Sequence, residues 1–216
     1  MNASRPLLET LGIPGPAGKL EAILEDPLLA SDRVAVICHP HPLHGGTMQN
    51  KVAHTLARTF NSLGVPALRF NFRGVGNSDG DFDQGIGETE DALAVLDYAS
   101  HRFPGRRLWL AGFSFGARVA LNVAARRALE LLITVAPPVG RLDMAGIPQP
   151  SCRWIIVQGG SDELVDPDAV VAWVDSLEPG PELMMFEEAD HFFHGQLVVL
   201  RESLIASLAP ELEANA

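Results

Sequence analysis

The stretch Leu108–Gly116 constrains the fold more than any other part of this chain. Leu108-Trp109-Leu110-Ala111 is an apolar run with strand character that breaks into Gly112-Phe113-Ser114-Phe115-Gly116. Beyond it, Ala117, Ala120 and Ala124 recur at helical spacing. Strand, tight turn and helix in so short a span hold Ser114 on a strained corner, with its hydroxyl projecting from the end of a sheet. The turn is crowded, so the positions two before and two after the serine must be small, and both are glycine. At average glycine usage of about 7%, a chain of this length yields on the order of a tenth of a Gly-x-Ser-x-Gly string by chance, so the flanking strand and helix carry the reading. The stretch has the form of a nucleophile elbow, and free N–H groups at the helix start can stabilise an oxyanion.

The rest of the chain supplies a matching scaffold. Residues 6–25 read as two short strands around the turn Gly12–Gly18, an opening hairpin. The apolar run at 33–38 reads as a strand buried on both faces, and helical periodicity follows at 50–63, closed by Gly64 and Pro66. Further strands are expected at about 65–71, 107–112, 129–135, 154–157 and 182–186, with helices at 88–100, 114–127, 167–176 and 196–208. This alternation predicts an α/β fold with a mostly parallel sheet covered on both faces. Fewer than twenty residues separate Val135 from Trp154, too few for a helical cap, so a site at the C-terminal edge of the sheet would be open.

With 216 residues, 47% of them hydrophobic, one core suffices, and residues 1–216 are expected to form a single domain. A net charge of −11 argues against nucleic acid or an anionic membrane as partner. The N-terminus lacks the basic start and apolar run of a signal peptide, and no apolar stretch reaches the ~20 residues needed to span a bilayer. Cys38 lies in an apolar strand, and its distance from Cys152 suits neither a zinc site nor a disulfide framework; a cytoplasmic setting is expected.

A serine hydroxyl becomes nucleophilic only when a base takes its proton and a third group orients that base. Two predicted strand ends downstream of Ser114 supply such groups, Gly159-Gly160-Ser161-Asp162 and Glu187-Glu188-Ala189-Asp190-His191. Asp162 sits in a Gly-rich turn that can aim its carboxylate, whereas the competing Asp166 precedes Pro167 and reads as a helix N-cap. His191 lies at the strand end; His194 is the alternative base, three residues on. The side chains of Asp190 and His191 are adjacent in sequence and diverge. For an oxyanion hole, Phe115 follows the nucleophile, and the loop His39-Pro40-His41-Pro42 should provide a second donor. Its prolines have no N–H, which leaves the His41 backbone. Leu43, Phe113 and Phe192 flank these groups and are candidates to line a substrate pocket.

Two other readings use the same residues. His39, His41, His44, His191 and His194 could form a metal site, although the His-Glu-x-x-His helix pattern is absent. The run Arg73–Gly80 contains Gly-x-Gly without dinucleotide-binding spacing and reads better as a tight loop near the site than as a phosphate cradle.

Taken together, Gly112–Gly116, Gly159–Asp162, Ala189–His191, His39–Pro42 and Arg73–Gly80 resemble the α/β-hydrolase family in kind and order, over about residues 18–208. The chain looks in particular like the small, lidless bacterial hydrolases with a HisProHisPro loop. The resemblance implies a sheet of about seven to eight strands, the first ones antiparallel, helices on both faces and no cap domain. It also implies a triad of Ser114, Asp162 and His191, with His41 and Phe115 as oxyanion donors. HisPro here replaces the commoner HisGly. A serine at the elbow argues against the dehalogenase and epoxide hydrolase branches, which use aspartate, and against dienelactone hydrolases, which use cysteine.

The expected activity is that of a serine hydrolase, a carboxylesterase cleaving small or short-acyl esters without metal or other cofactor. A peptidase or thioesterase would use the same triad. A metallohydrolase and a non-catalytic binding protein on the same scaffold are readings of a different class.

Overall fold

The computed structural model describes residues 6–144 and 146–213. Their eight strands form one sheet: β1 (Leu7–Gly15), β2 (Gly18–Asp26), β3 (Arg33–Cys38), β4 (Ala67–Phe70), β5 (Arg107–Phe113), β6 (Leu131–Val135), β7 (Arg153–Gly159) and β8 (Glu182–Phe186). The spatial order is β1-β2-β4-β3-β5-β6-β7-β8. The pairs β1/β2 and β2/β4 are antiparallel, and every pair from β4/β3 to β7/β8 is parallel. This is the α/β-hydrolase arrangement, with the serine strand β5 in the middle.

The opening hairpin is tighter than its glycines and prolines imply. Gly15 pairs with Gly18, and Gly12, Ile13 and Pro14 extend β1 instead of forming the turn. Pro14 is tolerated because β1 lies at the sheet edge, where a missing N–H costs no ladder bond.

The central strands are buried on both faces, as their unbroken apolar runs require. Alternation along β5 divides the core in two. Leu108 and Leu110 pack with α2 (Ile86–Arg102), α3 (Phe115–Ala124) and α4 (Pro167–Asp175). Trp109, Ala111 and Phe113 pack on the other face with α1 (Lys51–Ser62) and α5 (Leu197–Glu213). The last helix runs past its expected end at 208 and through Pro210, which removes a donor only near the terminus. At the N-terminal edge of the sheet, Glu130 accepts from Trp109 Nε1 at 2.6 Å and Arg33 Nε at 2.9 Å, fixing β3 against β5 away from the elbow.

The connection between β6 and β7 carries no helix or strand among its described residues, so nothing caps the C-terminal edge of the sheet. No helix among the described residues is long and apolar enough to cross a membrane.

The loop after β4 is locked from two sides. The Arg73 guanidinium makes two bonds to the fully buried Asp91 of α2, 3.0 and 2.8 Å, and Asp91 also accepts from the Arg73 N–H at 2.9 Å. Asn71 donates to Glu21 at 2.7 Å and accepts from the Met48 N–H at 2.8 Å, tying β2 to the segment that follows the histidine loop. Removing one partner of a buried, hydrogen-bonded ion pair typically costs about 3 kcal/mol. Asp91→Ala is therefore expected to lower the melting temperature by roughly 10 °C, read by thermal denaturation.

Candidate active site

The elbow is built by backbone proximity. A Cβ on Gly112 would lie 2.1 Å from the Gly116 carbonyl oxygen, and one on Gly116 would lie 2.4 and 2.5 Å from the carbonyl oxygens of Cys38 and His39. These contacts involve main chain that cannot move aside, so only glycine fits either position. Between them Ser114 adopts φ 55° and ψ −117°, a left-handed conformation that costs a side-chain-bearing residue about 1–3 kcal/mol. The strain is held by flanking bonds: the Ser114 N–H donates to Val135 O at 2.8 Å, and Ser114 O accepts from the Ala117 N–H at 2.8 Å.

Two loops at the same sheet edge meet the serine. His191, in the loop after β8, places Nε2 3.1 Å from Ser114 Oγ and Nδ1 2.8 Å from Asp162 Oδ2. Asp162, in the loop after β7, receives two further bonds on Oδ1, from the Leu164 and Val165 N–H groups, both at 2.8 Å. Burial raises the Asp162 pKa. The bonds from His191, Val165 and Leu164 outweigh it and hold the carboxyl below its ordinary range. An ionised Asp162 accepts from Nδ1–H, which leaves the Nε2 lone pair facing the serine hydroxyl. Phe113 and Phe192 pack against the His191 ring with centroids 5.1 and 5.0 Å away.

The competing residues have other partners. Asp166 caps α4, accepting from the Asp168 N–H at 3.0 Å with Pro167 in the first turn. His194 pairs with Asp190 at 2.7 Å, on the exposed side of the loop. Asp190 thus serves His194 and the local backbone, not His191.

The histidine loop divides its labour. His39 is fully buried: Nδ1 lies 2.6 Å from Pro40 O, and Nε2 accepts from the Phe72 N–H at 3.1 Å. Both ring nitrogens are spent on backbone, so His39 ties this loop to the one after β4. Burial, only partly offset by the bond to Pro40 O, pushes its pKa down to about 4. His41 begins a one-turn 3-10 helix, Pro42–His44, and its carbonyl accepts from the N–H groups of His44 and Gly46 at 3.1 and 3.0 Å. The His41 ring lies 4.9 Å from that of Phe115, so the two residues expected to supply the oxyanion donors are in contact through their side chains. The Phe115 N–H is in the first turn of α3, where no intrahelical carbonyl reaches it.

Among the described residues no three His, Cys, Asp or Glu side chains group as a metal-binding set. Of the five histidines of the metal reading, His39, His41, His191 and His194 each have a ring nitrogen bonded to a partner of its own. Among the described residues the Arg73–Gly80 loop supplies no cavity wall either; Asn71 and Phe72, just before it, bond to Met48 and His39.

Ser114, His191, His41 and Phe115 open on one cavity of about 570 Å³. Phe192 lines it, as expected from the sequence. Leu43 and Phe113, expected from the sequence to line it, do not. Leu43 lies on the outward side of the 3-10 turn, 68% exposed, and Phe113 is fully buried in the α1/α5 core, where it backs His191. Strand parity places Phe113 with Trp109 and Ala111, a signal present in the sequence. Pro138, Arg141 and Leu142 from the β6–β7 connection, and Leu164 and Val165 beside Asp162, complete the walls unanticipated. Gln158 was also missed: from β7 it donates to Asp162 Oδ2 at 3.0 Å.

A histidine whose pKa is lower folded than unfolded contributes stability that is fully present above about pH 6.5 and is lost as pH falls towards its folded value. His39 is such a group, with its lost protonation spread between about 6.5 and 4. The stability advantage of wild type over His39→Gln is expected to be about 2 kcal/mol smaller at pH 5 than at pH 7, measured by urea unfolding. An advantage that does not change with pH would contradict the neutral, buried imidazole.

Comparison with known proteins places this geometry in a family. Residues 33–198 match the model of the alpha/beta hydrolase domain. An α/β serine hydrolase without lid from Xanthomonas campestris superposes with a TM-score of 0.90 at 41% identity, covering 95% of each chain. An α/β serine hydrolase homologue from Coxiella burnetii gives 0.90 at 46% identity, covering 93% of this chain and 97% of that one. An uncharacterized protein of Rickettsia prowazekii is 35% identical over 192 residues, 83% of this chain and 79% of that protein. The chain belongs to the alpha/beta hydrolase family.

Proposed function

We propose that this hydrolase is a serine carboxylesterase acting on small or short-acyl esters, with Ser114 as nucleophile, His191 as base and Asp162 as the group that orients it. The observation that carries the reading is the continuous chain Ser114 Oγ, His191 Nε2, His191 Nδ1, Asp162 Oδ2, with links of 3.1 and 2.8 Å, opening into an uncapped cavity.

Each atom has a task. Ser114 Oγ attacks the ester carbonyl carbon as His191 Nε2 takes its proton. The carbonyl π electrons move onto oxygen, and the N–H groups of His41 and Phe115 receive the resulting oxyanion. Collapse of the tetrahedral intermediate breaks the bond to the alcohol oxygen, which takes the proton from the His191 imidazolium. Water then attacks the acyl-enzyme, passing its proton to Nε2. The acid leaves, and the proton returns to Ser114. Asp162 stays ionised throughout and stabilises the imidazolium. The absence of a cap and the modest cavity favour short acyl and alcohol groups.

Because the Asp162 carboxyl is held below its ordinary range, it stays ionised and keeps the His191 imidazole oriented towards Ser114. In a panel of short esters, thioesters and peptides, hydrolysis of esters is expected for wild type. Ser114→Ala and Asp162→Asn should each lower kcat by about 10⁴-fold with the fold retained. Ester turnover that survives Ser114→Ala would overturn the assignment.

A further inference from the structure

The charged groups on the wall of the cavity over Ser114 differ from those of the molecule as a whole. The chain has 27 Asp and Glu residues and a net charge of −11. Among the described residues none of those carboxylates and no lysine lines the cavity, and Arg141 is its one permanently charged wall residue. Arg141 follows the turn after β6, where its N–H donates to Pro138 O at 3.1 Å, and its Nη1 donates to Leu164 O at 2.8 Å across the cavity mouth.

That carbonyl anchor fixes the direction of the guanidinium without neutralising it. Arg69, Arg73, Arg126 and Arg153 each make an ion pair with a carboxylate, whereas among the described residues no carboxylate pairs with Arg141. A guanidinium has five N–H donors in a planar fork that matches a carboxylate, and the bond to Leu164 uses one of them. Leu142, Leu164 and Phe192 supply apolar wall around it.

We propose that Arg141 is a specificity-determining residue: the ester that this cavity takes carries a carboxylate, separated from the scissile carbonyl or from the ester oxygen by a short aliphatic spacer. The inference rests on the esterase reading and names its substrate class. The apolar walls accommodate the spacer, and the guanidinium fork receives the charge. An exposed ion pair of this kind is worth about fivefold in kcat/KM at low salt, and salt screens it.

The test uses two pairs of esters that differ only in charge. Monomethyl glutarate is paired with methyl 4-carbamoylbutanoate, placing the charge on the acyl part. 3-Acetoxypropanoate is paired with 3-acetoxypropanamide, placing it on the alcohol part. Hydrolysis is followed by pH-stat for wild type, Arg141→Gln, Arg141→Lys and Ser114→Ala, with folding checked by circular dichroism. In at least one pair, wild type should prefer the carboxylate by about fivefold or more, and the preference should shrink towards unity as salt rises to about 1 M. Arg141→Gln should abolish the preference, and Arg141→Lys, which keeps the charge without the fork, should retain part of it.

If Arg141 only braces the loop through Leu164, its substitution lowers both members of a pair alike and leaves their ratio unchanged. That result overturns the inference, as does turnover of the neutral esters with no carboxylate preference in wild type. Failure of the esterase reading looks different: none of the four esters is cleaved, or Ser114→Ala cleaves them as well as wild type does. Either of those outcomes overturns both proposals.

Discussion

Main chain against main chain at the elbow is the constraint on which the rest of the structure depends. With Gly116 seated against the carbonyl oxygens of Cys38 and His39, the start of α3 lies directly on the end of β3. That contact sets the distance between the Ser114 corner and the histidine loop, so the hydroxyl and the two N–H groups assigned to the oxyanion come from separate elements held in register. The strain at Ser114, of the order of 1–3 kcal/mol, is carried by a strand buried on both faces and bonded to β6 through Val135 O. A looser scaffold would relax it and lose the projection of the side chain.

Burial is used differently for each titratable group around this corner. His39 has its two nitrogens spent on Pro40 O and the Phe72 N–H and is kept neutral as a structural tie. Asp162 is buried as well, but with enough donors to remain ionised, and that charge fixes which nitrogen of His191 holds the proton. His194, exposed and paired with Asp190, belongs to neither system. Of the seven histidines in the sequence, His39 ties two loops together and His191 faces the serine. The supporting layer extends further through Asn71, which accepts from the Met48 N–H, and through the Arg73–Asp91 pair, which ties the loop after β4 to α2; none of these residues lines the cavity.

The periodicity of the chain was enough to read the sheet and the faces of its helices, because buried parallel strands are unbroken apolar runs and a helix start can carry a cap such as Asp166. The elbow was legible because only glycine satisfies its close contacts. The meeting of Ser114, Asp162 and His191 was legible because each follows a strand end on the same edge. What was not legible is set by tertiary contacts between loops. Arg141 reaches the cavity because the β6–β7 connection is pinned through Leu164 O and through Arg118 Nε, which donates to Asp143 O at 2.8 Å; neither contact leaves a periodic trace in the sequence. Gln158 reads as one polar residue in an apolar strand, and only the fold shows that it faces Asp162. Leu43 was misjudged because a 3-10 turn, not an extended loop, follows His41 and turns that side chain outward.

The central claim is that Ser114 is activated by its neighbours, and it is tested most directly by intact-mass spectrometry after reaction with a fluorophosphonate ester. The account predicts one adduct per wild-type chain, mapped to Ser114 by peptide sequencing, and none on Ser114→Ala. No adduct on wild type, or an equal adduct on Ser114→Ala, would contradict it.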